Sequence, residues 1–294
     1  MVSAPDPRLD EVARPAGPAF QLQRPGSNRV PLILMSPHSG DYYPEAFRQQ
    51  LQVPIQDVRR TEDAFVDRLF EGGVSKGATQ LKAVFGRCYV DLNRDAGELD
   101  PDMFEGGLGR SLGVPSARVQ AGLGCLPRIG ASGKPLYAAK LTRVDADQRL
   151  ASVHALYHGQ LQAEMARLFE DWADIYLIDC HSMPSRQPGR PTLPDIVLGD
   201  RFGSSCDAQL TSLVERTLRQ LGYSVVRNAP YAGGYTTRRY GRPRRGAHVL
   251  QIEINRSLYM NEADVVPNGN FERVQNDMTR LSEALAEFAL EQKS

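Results

Sequence analysis

Three stretches of this chain are apolar almost without a break: VPLILM from Val30 to Met35, IYLIDC from Ile175 to Cys180, and HVLQIEI from His248 to Ile254. A strand with one wet face alternates polar and apolar residues, whereas a strand covered on both faces does not. These runs demand a sheet with helices packed on each side. The helices are legible too. Leu150, Val153, Tyr157, Leu161, Met165 and Leu168 predict a helix of about six turns. Leu210, Leu213, Val214, Thr217 and Leu221 predict a second, with Gly222 at its C-terminal cap. Phe271, Val274, Met278, Leu281, Leu285 and Phe288 predict a third. A short helix is expected near Thr61, its N-cap, with Phe65, Leu69 and Phe70 on one face and Gly72-Gly73 as its stop. Further strand-like runs are LKAVF, CYVDL, IVLGD and SVVRNA. Strands separated by long helices predict an α/β fold with a mostly parallel sheet, whose sites lie at the carboxyl ends of the strands.

Residues 1–29 hold five prolines and little periodicity, and read as an irregular arm. Residues 30–294 read as one catalytic domain, with a loop-rich insertion at about 96–147; long loops of this kind serve as lids or binding loops. Thirty-five basic residues against thirty-five acidic ones argue against a nucleic-acid binder. No apolar run approaches the length of about 18 that a membrane span needs. No export pattern is visible, so a cytoplasmic protein is expected. Cys88, Cys125, Cys180 and Cys206 lie far apart, which excludes a zinc ribbon and argues against a disulfide framework. Cys180, within an apolar run, reads as a small buried hydrophobe rather than a nucleophile.

Three polar groups sit within or just past the apolar runs. His38 follows VPLILMSP, His181 follows IYLIDC, and Glu253 lies inside HVLQIEI among apolar neighbours. Each histidine alone reads as a hydrogen-bonded turn residue. A carboxylate on a buried strand, however, needs a partner or a metal. If the three converge they suit metal-assisted hydrolysis, with the two histidines and an acid near Asp63 as ligands and Glu253 as base. No H-E-x-x-H motif occurs. In GRCYVDLNRD, Arg87, Asn93 and Arg94 offer carboxylate donors, or else an arginine paired to Asp91 or Asp95. GGYTTRRYGRPRRG carries Arg238, Arg239, Arg242, Arg244 and Arg245 and reads as a glycine-hinged loop that delivers one or two arginines to a small anion. Gly109-Arg110-Ser111-Leu112-Gly113 matches the G-x-S-x-G pattern, but glycine-rich chain precedes it and Pro115 follows, not the strand and helix that a nucleophile elbow needs.

SPHSG, EDAFVDRLF, RCYVDLNRD, LIDCHSMPS, YAGGYTTRRYGRP and QIEINRSLYM follow one another between residues 30 and 260. In this order they resemble the N-formylglutamate amidohydrolase family. The resemblance implies a single α/β domain with a mixed, mostly parallel sheet flanked by helices on both faces (phosphorylase/hydrolase-like), distantly similar to zinc carboxypeptidases and aspartoacylases. It implies one zinc ion, or another divalent metal, held by His38, His181 and Asp63, with Glu62 and Asp67 as competitors of Asp63. It implies Glu253 as general base, Asn93 and Arg94 as a grip on a substrate carboxylate, and Arg87 as a donor to the developing oxyanion. The substrate would be a small anionic acyl amino acid, N-formyl-L-glutamate, cleaved to formate and L-glutamate as in histidine degradation. Its two carboxylates would engage Arg94 together with Arg238 or Arg239. The stretch 100–147 diverges from the usual family loop, so other N-acyl amino acids or a peptide's C-terminal residue are alternative substrates. A non-catalytic anion-binding protein built on the arginine loop is the reading from another class.

Overall fold

The three apolar runs become neighbouring parallel strands in a computed structural model that describes residues 17–26, 28–108, 116–187 and 193–292. The main sheet has seven strands: β1 (Phe20–Gln23), β2 (Leu32–Ser36), β3 (Thr79–Ala83), β4 (Ile175–Met183), β5 (Ile196–Gly199), β6 (Val225–Arg227) and β7 (Ala247–Asn255). Their spatial order is β1-β3-β2-β4-β7-β5-β6. Only the β1–β3 and β5–β7 pairings are antiparallel. This is the α/β architecture expected, with a mixed sheet.

Alternation along each strand divides the core in two. Leu32, Leu34, Ile178, Leu250 and Ile252 point to one layer, where the helices Ala208–Gln220 and Phe271–Glu291 lie. Ile33, Met35, Ile175, Leu177 and Val249 point to the other, against the helix Ala155–Phe169. That helix continues an α-helical turn at Arg143–Arg149 through a π-helical segment at Leu150–His154. Gly222 has a φ of +93°, and Tyr223 N–H bonds the Leu218 carbonyl while Gly222 N–H bonds that of Arg219, so the helix before it ends in a Schellman motif.

Four expectations are corrected. Phe20–Gln23, read as part of an irregular arm, forms the antiparallel edge strand β1; the remainder of that arm up to residue 16 lies outside the described residues. CYVDL is not a strand. Val90 and Leu92 reach the core from a turn tied by Tyr89 N–H to the Gly86 carbonyl and Asp91 N–H to that of Cys125, so apolar content alone misled. Thr61 caps no helix start; its hydroxyl donates to the Val58 carbonyl at the end of the helix Ile55–Arg59. Gly72-Gly73 is not the stop of the short helix, which spans Val66–Leu69; the pair lies in the 3-10 helix Glu71–Lys76 that follows, where a Cβ on Gly72 would meet the Thr279 side chain. Ser111 lies outside the described residues.

Candidate active site

The layer that holds Leu177 and Val249 turns polar at the carboxyl ends of β4 and β7. Strand period two places Asp179 and His181 on that face of β4, and Gln251 and Glu253 on that face of β7. His181 is the register partner of Glu253, and Asp179 of Gln251. His38 follows β2, the strand on the other side of β4. The backbone N–H of Asp63 donates to the His38 carbonyl at 3.0 Å, which locks the two segments together. Phe65, just beyond, adopts φ +66°. This left-handed residue sends its own ring into the core while Asp63 faces the histidines.

Asp63 Oδ2 lies 2.8 Å from Nδ1 of His181 and 3.3 Å from Nδ1 of His38. Ligand atoms of the three residues fall within 4.8 Å of one another, and all three are buried. The second nitrogen of each ring is backed by a carboxylate: His38 Nε2 is 2.7 Å from Asp91 Oδ1, and His181 Nε2 is 3.0 Å from Asp179 Oδ1. Asp63 Oδ1 accepts from Arg256 Nη2 at 2.9 Å, and Asp91 Oδ2 from Arg87 Nη2 at 2.8 Å. With Glu253, four carboxylates gather here against those two guanidiniums, an excess of negative charge that a divalent cation would neutralise. Two imidazoles, one carboxylate, and acids orienting the rings from behind are the donor chemistry such an ion takes.

Burial alone would raise the Asp63 carboxyl, but hydrogen bonds from His181 and His38 outweigh it and hold it well below the usual range. Asp91 is held low in the same way, burial being overcome by His38 and Arg87. Glu253 goes the other way: burial pushes it up to about 7, against the pull of His181. Its Oε1 accepts from Gln251 Nε2 at 2.8 Å.

These groups floor a cavity of about 570 Å³. His38, Asp63, His181, Glu253, Arg87 and Arg94 all line it. Neither competitor of Asp63 faces the histidines. The Glu62 carboxylate accepts from Tyr43, and burial pushes it up to about 8; Asp67 pairs with Lys82 at 3.1 Å. One sequence reading is corrected. Arg238 and Arg239 are exposed and do not line the cavity. On the helix Tyr235–Tyr240 it is Tyr235, Thr236, Thr237 and Tyr240 that turn inward, and the two guanidiniums lie over the Tyr235 ring instead. Asn93 reaches the cavity wall with both ends of its amide engaged. Nδ2 lies 3.0 Å from His181 Nε2, and Oδ1 accepts from the N–H and hydroxyl of Thr236. It therefore packs against His181 and Asp179 while still lining the cavity.

Sequence reading missed Asp179, Arg256 and Arg118, and it named Asp91 as an arginine's partner, which it is to Arg87, but not as the support of His38. Asp179 was recoverable, since it stands two residues before His181 on the same strand face. Arg118 gave no signal, because nothing in a glycine- and proline-rich stretch says which way a side chain points.

A model of the N-formylglutamate amidohydrolase family matches residues 30–260. An N-formylglutamate deformylase of Pseudomonas aeruginosa is 32% identical over 244 residues, 80% of this chain and 84% of the relative. Its counterpart from Pseudomonas putida is 30% identical over 245 residues, with the same coverage of 80% and 84%. The crystal structure of an N-formylglutamate amidohydrolase from Ralstonia eutropha JMP134 superposes with a TM-score of 0.87 at 36% identity, covering 93% of this chain and 99% of that one.

Proposed function

The chain belongs to the N-formylglutamate amidohydrolase family, and from that membership we propose how its site works: it hydrolyses the formyl amide of N-formyl-L-glutamate to formate and L-glutamate. The observation that carries this reading is the meeting of His38, Asp63 and His181 beside Glu253 at the strand ends. The donor set suits Zn²⁺. Such an ion, when bound, supplies Lewis acidity toward the carbonyl and makes water a better nucleophile near neutral pH.

The residues of the chain do the rest. Glu253 takes the proton of the attacking water and returns it to the amide nitrogen as the C–N bond breaks. Its neighbour Gln251 orients the carboxylate through their hydrogen bond. Arg87, anchored on Asp91, presents its remaining N–H groups to the oxygen that gains negative charge. Arg94, tethered to the carbonyls of Asn93 and Leu123, offers its free N–H groups to a substrate carboxylate. Fixing that carboxylate sets the formyl carbon against the nucleophile, and orientation of this kind accounts for much of the rate gain in such sites.

The test is formate release from N-formylglutamate, run with elemental analysis. About one divalent metal per chain is expected, and chelation should abolish turnover until zinc is returned. No formate release, or release that a chelator leaves untouched with no metal present, rejects the proposal. A cytoplasmic role in histidine breakdown belongs to the same proposal.

A further inference from the structure

Five arginines line the cavity, and one of them, Arg60, is exposed just past the helix Ile55–Arg59 with no hydrogen-bond or ion-pair partner for its side chain among the described residues. Arg87 is paired with Asp91, and Arg256 with Asp63. Among the described residues, the Arg94 side chain hydrogen-bonds only the carbonyls of Asn93 and Leu123. Arg118 stands on the short helix Ala117–Gln120 and lines the same cavity, and among the described residues its side chain meets no hydrogen-bond or ion-pair partner. Its backbone is nonetheless fixed. Ser116 caps the helix by accepting from the Val119 N–H, Val119 is buried in the core, and the Arg118 carbonyl accepts from Leu123 N–H at 2.8 Å. A rigid base that carries an unpartnered guanidinium is an arrangement suited to a ligand. Arg118 also feels Arg94: after burial, repulsion from that guanidinium is the next cause lowering its pKa. Glu98 and Asp91 offset part of that repulsion, and two guanidiniums that line one cavity favour an anion that pairs them.

Resting on the function proposed above, we propose that Arg118 is the specificity residue of the site: it binds the side-chain carboxylate of the substrate while Arg94 holds the carboxylate next to the amide. The division follows from position. Arg94 adjoins Asn93, which touches His181, whereas Arg118 reaches the cavity from the separate short helix Ala117–Gln120. The cavity therefore selects N-acyl derivatives of acidic amino acids over those of neutral ones.

The experiment compares steady-state kinetics on N-formylglutamate and N-formylglutamine, isosteric side chains that differ in charge. The wild type should favour the acid by about 10- to 100-fold in kcat/KM, the range of a charged hydrogen bond. Arg118→Ala should raise KM for N-formylglutamate by a similar factor with kcat little changed, and leave N-formylglutamine as it was. Arg118→Lys should recover part of the preference. Equal losses on both substrates, or no change on either, overturn the inference. So does selective loss in Arg60→Ala in place of Arg118→Ala, since Arg60 lines the same cavity. A wild type that cleaves both substrates equally defeats this inference alone, whereas one that releases no formate from either defeats the underlying function as well.

Discussion

His181 on β4 and Glu253 on β7 are cross-strand partners in register at the carboxyl edge of the sheet. The pairing fixes their separation by backbone hydrogen bonding rather than by side-chain contacts. His181 on one strand could then hold a cation of the kind proposed above while Glu253 on the next stays outside the ligand set, close enough to exchange protons with what is bound. Burial raises Glu253 to about 7, the range in which a carboxylate both accepts and returns a proton near neutral pH.

Glu253→Gln separates the two roles. The amide keeps the shape and the contact with Gln251 but cannot take a proton. Metal content should stay at the wild-type level while kcat falls by about 10²- to 10⁴-fold. Elemental analysis and initial rates on the same preparation decide it. Retained turnover removes Glu253 as the base, and lost metal makes it a ligand instead.

Asp91 supports His38 from behind, 2.7 Å from Nε2, and accepts from Arg87 at 2.8 Å. Asp91→Asn keeps an oxygen for the ring but removes the charge that both partners face. Metal affinity should fall by about 10- to 100-fold, read by competition with a chelator of known strength. An unchanged affinity would make Asp91 a partner of Arg87 only.

How far the sequence alone reached follows from which signals are local. β2, β4 and β7 were legible because a strand buried on both faces is uniformly apolar, and the histidines were legible because they leave those strands at their carboxyl ends. β1 was not, since an edge strand of four residues owes its existence to pairing with β3, which lies some sixty residues on. CYVDL carries strand-like residues, but its backbone is bound to Gly86 and Cys125 in a turn. Arg238 and Arg239 looked like substrate ligands because charge is visible in a sequence and the inward face of a six-residue helix is not. Asp63 stood out from Glu62 and Asp67 by resemblance; the direction of each carboxylate is a tertiary fact.

His158 gives the fold a pH dependence of known sign. The ring sits between the Tyr240 hydroxyl at 2.8 Å and the Leu92 carbonyl at 2.9 Å, so Nε2–H donates to Leu92 and neutral Nδ1 accepts from Tyr240. Burial, with His154 adding to it, drops its pKa from 6.5 to about 3. Between those values the unfolded chain binds a proton that the folded chain refuses. The stability His158 contributes is thus intact above pH 6.5 and is lost as pH falls toward 3, at about 1.4 kcal/mol per pH unit. Urea denaturation of the wild type and His158→Gln at pH 7 and pH 5 should show the variant losing on the order of 2 kcal/mol less over that interval. Parallel losses would mean that the ring is protonated in the native state.

Gly234 packs the arginine loop directly against Asn93. A Cβ there would lie 2.4 Å from Nδ2 and 2.5 Å from Oδ1 of Asn93, distances that no relaxed structure keeps. The backbone is not the obstacle, because Gly234 sits at φ −104° in extended conformation; space is. In Gly234→Ala the Asn93 amide must leave the Thr236 N–H and hydroxyl or the His181 ring, all of which it contacts now. Loss of one buried hydrogen bond costs about 1–3 kcal/mol, so the variant should fold with a lowered Tm. Its larger defect should be in the site: His181 loses its contact with Asn93, and kcat/KM should drop by at least about tenfold, more than the same variant loses in folded fraction at the assay temperature. Zinc titration together with thermal unfolding distinguishes the cases. A Tm shift with wild-type kcat/KM would place Asn93 in the scaffold of the loop alone, with no hold on the histidine.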